Sequence, residues 1–359
     1  MKQLLLYCRA GFEKECAAEI QDKASSYQLF GFCKLVANSA YVIFEAYDVD
    51  SLATFYRDFE FNQFIFIRQW CLLAAPLLDL PAADRIAPVL DALQHTEISG
   101  IGELRVEFPQ TNDGKTLSTL ARKFTVPLRQ ALRQAGVMLQ KEQKRAPVLH
   151  LFLLSGQQGY LGLSYPENNS PLENGILRLK FPNEAPSRST LKLEEAFIEF
   201  IPRNEWDKRL APGMLAVDLG ACPGGWTYQL VKRSMMVTAI DNGPMAESLM
   251  QTGQVKHLMV DGFKFEPKRK NVYWLVCDMI EQPQRVADRI ADWIINGWCQ
   301  ESIFNLKLPM KRRYETVQEV LENLENKLLS ADIKYQLLVK HLYHDREEVT
   351  VLVRNVVMR

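Results

Sequence analysis

Apolar and polar positions alternate in blocks along the C-terminal half of the chain, and one block organises the rest. Residues 215–226 read LAVDLGACPGGW: an apolar run broken by Asp218, then a glycine turn, then a helix start at Trp226. Further apolar runs follow at MMVTAID, ending on Asp241, and at 255–260, 272–276 and 302–308, with two more at 335–339 and 349–353. Strand, glycine turn and helix followed by spaced apolar runs predict a doubly wound α/β domain, with its ligand crevice at the carboxyl ends of the strands.

The N-terminal half has a different rhythm. Runs at 4–8, 33–36, 41–46 and 64–73 read as strands, with helical spacing at 12–23 and 51–55. The order βαββαβ predicts a ferredoxin-like α+β domain over 1–75. A second α+β unit is expected over 76–165: a helix at 84–93, a strand at 103–108, a polar turn at 111–114, helices at 116–124 and 126–135, and strands at 148–154 and 160–164. Pro166 to Pro171, with Pro182 and Pro186 beyond, reads as the interdomain connection, and a third domain spans 172–359.

Composition narrows the class. The chain has 359 residues, a formal net charge of zero and 47% hydrophobic residues, which fits a multidomain globular protein and argues against a general polyanion binder. A nucleic-acid surface would have to be local. One such patch runs from Arg122 to Arg145, where Lys123, Arg129, Arg133, Lys141 and Lys144 join the two end residues against one acid, Glu142. It reads either as a solvated helical face or as an RNA backbone contact. The seven cysteines show no C-x-x-C pair, so they read as free thiols in a reducing compartment. The N-terminal apolar run is too short for a signal peptide, and Arg68 and Asp79 spoil 61–80 as a membrane span, so a cytoplasmic protein is expected.

The turn's chemistry favours a small cationic ligand. Glycines at 220, 224 and 225 do not make G-x-G-x-x-G, and Pro223 removes an amide that a pyrophosphate would use. Asp218 would repel phosphate but suit a sulfonium and an amino group. Asp241 follows about 20 residues on, where an acid accepts from ribose hydroxyls. The residues therefore point to S-adenosylmethionine rather than a nicotinamide dinucleotide. Further along stand Ser189 and Lys192 at a helix start, Asp261 and Asp278 at strand ends, Lys307 inside an apolar run and Glu348 after a polar hairpin. A lysine in such a run is costly to bury unless paired or functional. No two histidines stand at H-x-x-x-H spacing, and no metal is expected. Cys222 reads as a packing residue, with a nucleophile as the rarer reading, and Trp226 as core.

DLGACPGGW resembles the D-L-G-A-x-P-G-G-W signature of the FtsJ-like ribose 2′-O-methyltransferases. The resemblance implies a Rossmann-like class I methyltransferase domain with a seven-stranded mixed sheet. It also implies a Lys192–Asp278–Lys307–Glu348 tetrad in which Lys307 accepts the proton, with Glu347 the rival for the last place. It carries cofactor contacts to Ser189, Gly220, Cys222, Pro223, Gly224, Gly225, Asp241, Asp261 and Asp278. A 2′-hydroxyl attacks a methyl sulfonium only if a base takes its proton, and a lysine serves once its pKa falls; partial burial and a second lysine are expected to lower it.

The segment 76–165 resembles a THUMP RNA-binding domain in element order and in its basic helix. SRSTLKLEEAF, IDNGPM, IFNLKLPMKRRYE and LYHDREEVTV extend the likeness over nearly the full length to bacterial 23S ribosomal RNA 2′-O-ribose methyltransferases. That implies a monomer methylating a cytidine in the peptidyl-transferase region of 23S ribosomal RNA or a large-subunit precursor. A noncatalytic RNA-binding or assembly factor is the alternative, and a nicotinamide oxidoreductase a more distant one.

Overall fold

The computed structural model describes residues 1–96 and 98–356; position 97 and the last three positions of the expected third domain, 357–359, lie outside the described residues. The chain forms two compact units, Met1–Ile176 and Leu177–Arg359.

In the first unit β1 (Gln3–Tyr7), α1 (Glu13–Ser26), β2 (Gly31–Leu35), β3 (Tyr41–Ala46), α2 (Val49–Asp58) and β4 (Gln69–Leu77) follow the expected βαββαβ order. Asp48 caps α2 by accepting from the Ser51 amide at 2.6 Å. The helices bury Cys16, Ile20, Leu52 and Phe55 against Leu4, Leu6, Phe44 and Trp70 of the sheet. The strand expected from residue 64 begins only at Gln69. Glu19, buried beneath the preceding loop, accepts from the amides of Ile65, Phe66 and Ile67 at 2.5, 2.8 and 3.1 Å. Those amides are satisfied by a carboxylate instead of a neighbouring strand.

After α3 (Ile86–Gln94), β5 (Glu103–Glu107) and the single turn α4 (Asn112–Lys115) comes α5 (Ser118–Gln134). The two helices expected at 116–124 and 126–135 are thus one, with Pro127 inside it. Ala121, Phe124, Leu128 and Leu132 form one continuous buried face across the proline, and that burial outweighs the lost amide. β6 (Val148–Leu153) and β7 (Gly159–Ser164) complete a single sheet in the order β2-β3-β1-β4-β7-β6-β5. β4 pairs antiparallel with β7, so one sheet runs through both N-terminal segments.

The stretch expected to be an interdomain connection is strapped to this unit as far as Leu172. Asn168 donates to the carbonyls of Tyr56 and Phe59 at 2.9 and 2.8 Å, and Arg105 to those of Ser170 and Pro171 at 2.9 and 3.2 Å.

The second unit opens with α6 (Thr190–Phe200) and α7 (Trp206–Arg209), then β8 (Leu215–Leu219), α8 (Gly225–Val231), β9 (Met236–Ile240), α9 (Glu247–Met250) and β10 (Val255–Leu258). β11 (Val272–Cys277), α10 (Pro283–Ile295), β12 (Cys299–Lys307), α11 (Arg313–Ser330), β13 (Tyr335–Lys340) and β14 (Glu348–Asn355) follow. The sheet order is β10-β9-β8-β11-β12-β14-β13. β8 to β12 run parallel, and β14 inserts antiparallel between β12 and β13. This is the expected seven-stranded mixed sheet. Phe197, Trp226, Trp274, Ile303 and Leu352 fill one core, with Trp226 a packing residue as expected. Arg209 and Glu301 form a buried ion pair at 2.5 Å beneath it.

Candidate active site

β8 ends in a turn that glycine geometry shapes. Gly224 has φ +116°, and a Cβ there would lie 2.3 Å from the Leu249 side chain. Gly225 begins α8, and a Cβ on it would meet the Ser189 hydroxyl at 2.1 Å. The turn therefore sits directly against the start of α6, where Ser189 and Ser187 share a hydroxyl contact at 3.0 Å. The Cys222–Pro223 peptide is cis.

In front of the turn lies a cavity of about 430 Å³ whose lining includes Gly220, Cys222, Asp241, Asp261, Asp278 and Met279. Asp241 accepts from the amides of Cys222 and Gly243 at 2.9 and 2.7 Å, which locks it at the cavity edge. Asp261 accepts from the Phe263 amide at 2.9 Å and stays exposed. Pro223, Gly224 and Gly225 belong to the turn itself and Ser189 packs against Gly225; none of the four is among the cavity's lining residues. The Cys222 thiol donates to the Pro244 carbonyl at 3.1 Å, and burial followed by the Asp241 charge pushes its pKa up, which suits a packing residue.

Asp218 departs from expectation. It does not border the cavity but lies 1% exposed beneath the turn, accepting from the Thr227 hydroxyl at 2.6 Å. That bond draws the side chain under α8. Burial lifts its pKa to about 7. It anchors the helix start rather than facing the cavity.

Four charged side chains converge beside the cavity. Lys192 on α6 reaches Asp278 at 3.1 Å and Glu348 at 2.6 Å. Lys307, at the end of β12, reaches Asp278 at 2.5 Å and also bonds Glu348. Glu348 is buried and turned inward, whereas Glu347 is exposed and pairs with Arg313 at 2.5 Å. Strand alternation separates the two.

The expected lowering of the Lys307 pKa is reversed. Burial pushes it down, but Asp278 and Glu348 push it up further, and it settles above the ordinary lysine value. Lys307 bonds two carboxylates, and together they outweigh burial.

One residue at the cluster was missed from the sequence. Asn305 donates to Asp278 at 2.9 Å. Its position two before Lys307 puts both on one face of β12, and that period of two is the signal that could have found it. Among the described residues no group of histidines, cysteines or carboxylates could hold a metal, and no helix is long and apolar enough to cross a membrane.

Comparison with known proteins bears on all parts of the chain. Residues 1–71 match the RlmM ferredoxin-like domain, 84–165 the N-terminal region of ribosomal RNA large subunit methyltransferase M, and 185–308 the FtsJ-like methyltransferase family. The chain is 56% identical over 356 residues to the ribosomal RNA large subunit methyltransferase M of Vibrio atlanticus (strain LGP32), covering 99% of this chain and 98% of that one. It is 57% identical to the protein of that name from Photorhabdus laumondii subsp. laumondii, covering 99% and 97%. Among solved structures, TrmN from Thermus thermophilus aligns over 99% of this chain and 100% of its own at 15% identity with a TM-score of 0.37, a likeness too loose to bear on function.

Proposed function

The chain belongs to the ribosomal RNA large subunit methyltransferase M family, and from that premise we propose that it methylates the ribose 2′-hydroxyl of a cytidine in the peptidyl-transferase region of 23S ribosomal RNA, with Lys307 as proton acceptor. As a member of the family it is a ribosomal RNA methyltransferase. The observation that carries the finer reading is the Lys192–Asp278–Lys307–Glu348 cluster beside the cavity of the glycine turn.

S-adenosylmethionine would supply an electrophilic methyl group on a sulfonium. The residues suit it: a glycine turn with no side chain in the way, Asp241 and Asp261 as hydroxyl and amino acceptors, and Asp278 as a carboxylate near positive charge. Gly220 and Cys222 line the cavity, and Ser189, Pro223, Gly224 and Gly225 beside them are read as further cofactor contacts. Asp278 and Glu348 each bind both lysines, so the two amines are fixed relative to the cavity.

Lys307 must first shed its own proton. A cationic ligand beside Asp278 weakens that carboxylate's hold and lowers the amine's pKa. The neutral amine then takes the 2′-hydroxyl proton as the oxygen attacks, and alignment of the reacting atoms supplies the remainder.

The family matches support reading 1–75, 76–165 and 172–359 as ferredoxin-like, THUMP and methyltransferase domains. The exposed Arg122, Lys123, Lys141, Lys144 and Arg145 support RNA contact by the middle segment. The working form is a cytoplasmic monomer acting on 23S ribosomal RNA or its large-subunit precursor. Methyl transfer from labelled S-adenosylmethionine to large-subunit RNA, with mass mapping of the product ribose, tests the reading; a methyl group on a base would overturn it.

A further inference from the structure

We propose that Asp345, Thr350 and Asn305 are positioning residues for this reaction, forming a one-way hydrogen-bond relay from the Asp345 carboxyl through the Thr350 hydroxyl and the Asn305 carboxamide to the Asp278 carboxylate. The proposal rests on reading the Asp278 cluster as the methyl-transfer site.

The strands set up the relay. β12 and β14 pair in a register that puts Asn305 opposite Thr350 and Lys307 opposite Glu348. The two pairs are two residues apart, so all four side chains share one face of the sheet. Asn305, Thr350 and Asp345 are fully buried. Asn305 Nδ2 lies 2.9 Å from Asp278 Oδ1, and Thr350 Oγ1 lies 2.9 Å from Asn305 Oδ1. Thr350 Oγ1 is also 3.0 and 2.9 Å from the two Asp345 oxygens, and the Leu342 amide donates to Asp345 Oδ2 at 2.9 Å.

Counting protons fixes the direction. Asp278 accepts from two ammonium groups, so it is an acceptor toward Asn305 too, and the Asn305 NH2 must face it. Turning the amide over would set oxygen against carboxylate oxygen at hydrogen-bond distance. The Asn305 oxygen then faces Thr350 and needs a donor, and the Thr350 hydroxyl supplies it. A hydroxyl has one proton. Once given to Asn305, it leaves Thr350 an acceptor toward Asp345. Asp345 must therefore bring its own proton, on Oδ1, while Oδ2 accepts from Leu342.

Electrostatics agree. Burial, then the negative charges of Glu348 and Glu195, push the Asp345 pKa well above the carboxylate range. An ionised Asp345 would leave two acceptors facing each other at 2.9 to 3.0 Å, too close for a water to separate them.

The relay's work is done at Asp278. This residue lies just past the end of β11, and Asn305 ties one of its oxygens to the rigid core of the sheet. The same oxygen binds Lys307. Fixing the carboxylate fixes the direction of the amine that must meet the ribose proton.

The test uses the full-length protein. Thr350→Val keeps the shape and removes the hydroxyl; we expect kcat to fall about tenfold, with substrate KM and cofactor affinity unchanged and Thr350→Ser restoring the rate. Asp345→Asn can still donate to Thr350 and accept from Leu342, so it should hold kcat within about twofold, whereas Asp345→Ala should resemble Thr350→Val. A readout independent of turnover is carboxyl NMR of 13C-aspartate-labelled protein without ligand. The signal missing from Asp345→Asn should remain that of the neutral acid at neutral pH.

An ionised signal there overturns the relay, and so does a folded Thr350→Val with the parent kcat. The NMR measurement needs only the parent and Asp345→Asn proteins and decides the matter if Thr350→Val does not fold. Lys307→Ala, run in parallel, separates the two readings. If it is inactive while Thr350→Val is unimpaired, the relay alone fails. If it is active, the site reading fails, and the Asp345 signal still decides the hydrogen-bond order.

Discussion

Lys307 and Glu348 are direct cross-strand partners on β12 and β14, and their side chains bond to each other beside the cavity of the glycine turn. A cation and an anion opposite each other in an antiparallel ladder need no loop to bring them together. The pair is thus set by the same register that builds the sheet, and Asp278 and Lys192 complete it from the loop after β11 and from α6.

Removing the amine separates chemistry from binding. Lys307→Ala should lower kcat by about two to four orders of magnitude, the usual reach of a general base, while calorimetry still shows S-adenosylmethionine binding. Lys307→Arg should be as poor, since a guanidinium does not give up its proton. Wild-type turnover in either variant would rule out Lys307 as proton acceptor.

The two adjacent glutamates should behave differently. Glu348→Gln takes a charge from between the lysines and should cost at least about tenfold in kcat. Glu347→Gln breaks only an exposed pair with Arg313 and should stay within about twofold. Equal losses would show that side-chain direction at this hairpin does not govern the site.

Lys307 also sets a pH dependence. Its pKa lies above the ordinary lysine value, so in the free enzyme the neutral amine is scarce at neutral pH and grows as pH rises. The logarithm of kcat/KM should therefore climb with pH from neutral upward, with a slope near one. Glu348→Gln removes one of the charges that raise the pKa and should move that limb to lower pH. A profile flat across this range would contradict the assignment.

Asp218 should make stability fall as pH rises. Its folded pKa is raised to about 7 by burial, so the folded state holds a proton that the unfolded chain releases near the ordinary carboxylate value. Stability from this group is complete below the unfolded pKa and is lost as pH climbs through the folded one. Asp218→Asn removes that loss at roughly 1.4 kcal/mol per unit of pKa difference. Urea midpoints at mildly acid and mildly alkaline pH should differ less in the variant than in the parent; identical differences would mean Asp218 is not titrating.

Arg209 and Glu301 test the floor of the catalytic unit. Glu301 is fully buried, and Arg209→Ala would strand its charge, costing about 3–5 kcal/mol. A denaturation midpoint unchanged within error would show that Tyr273 and Arg354 alone suffice to hold it.

The glycine turn was legible because its residues are contiguous in sequence and Gly224, with φ +116°, takes a backbone conformation that favours glycine. Lys307 was legible because a charge in an apolar run contradicts its neighbours. What escaped depended on partners distant in sequence. Glu19 removes the first residues of a predicted strand from more than forty residues away, and Pro127 looks like a helix break until the buried face around it is seen. The sign of the Lys307 shift hinges on two carboxylates brought from β14 and the loop after β11, and Asp218 is drawn inward by Thr227. Chain order reveals such groups as present but not which of them prevails.

The β4–β7 ladder has a consequence for how the N-terminal half can be cut or inherited. A fragment ending near residue 75 would strip β7 from β4 and leave the edge from Leu72 onward, with its amide and carbonyl groups unmatched, as a template for self-association. The two N-terminal modules would then have to travel together through any genetic rearrangement, and a truncation meant to isolate the first should yield aggregates unless it also supplies β7.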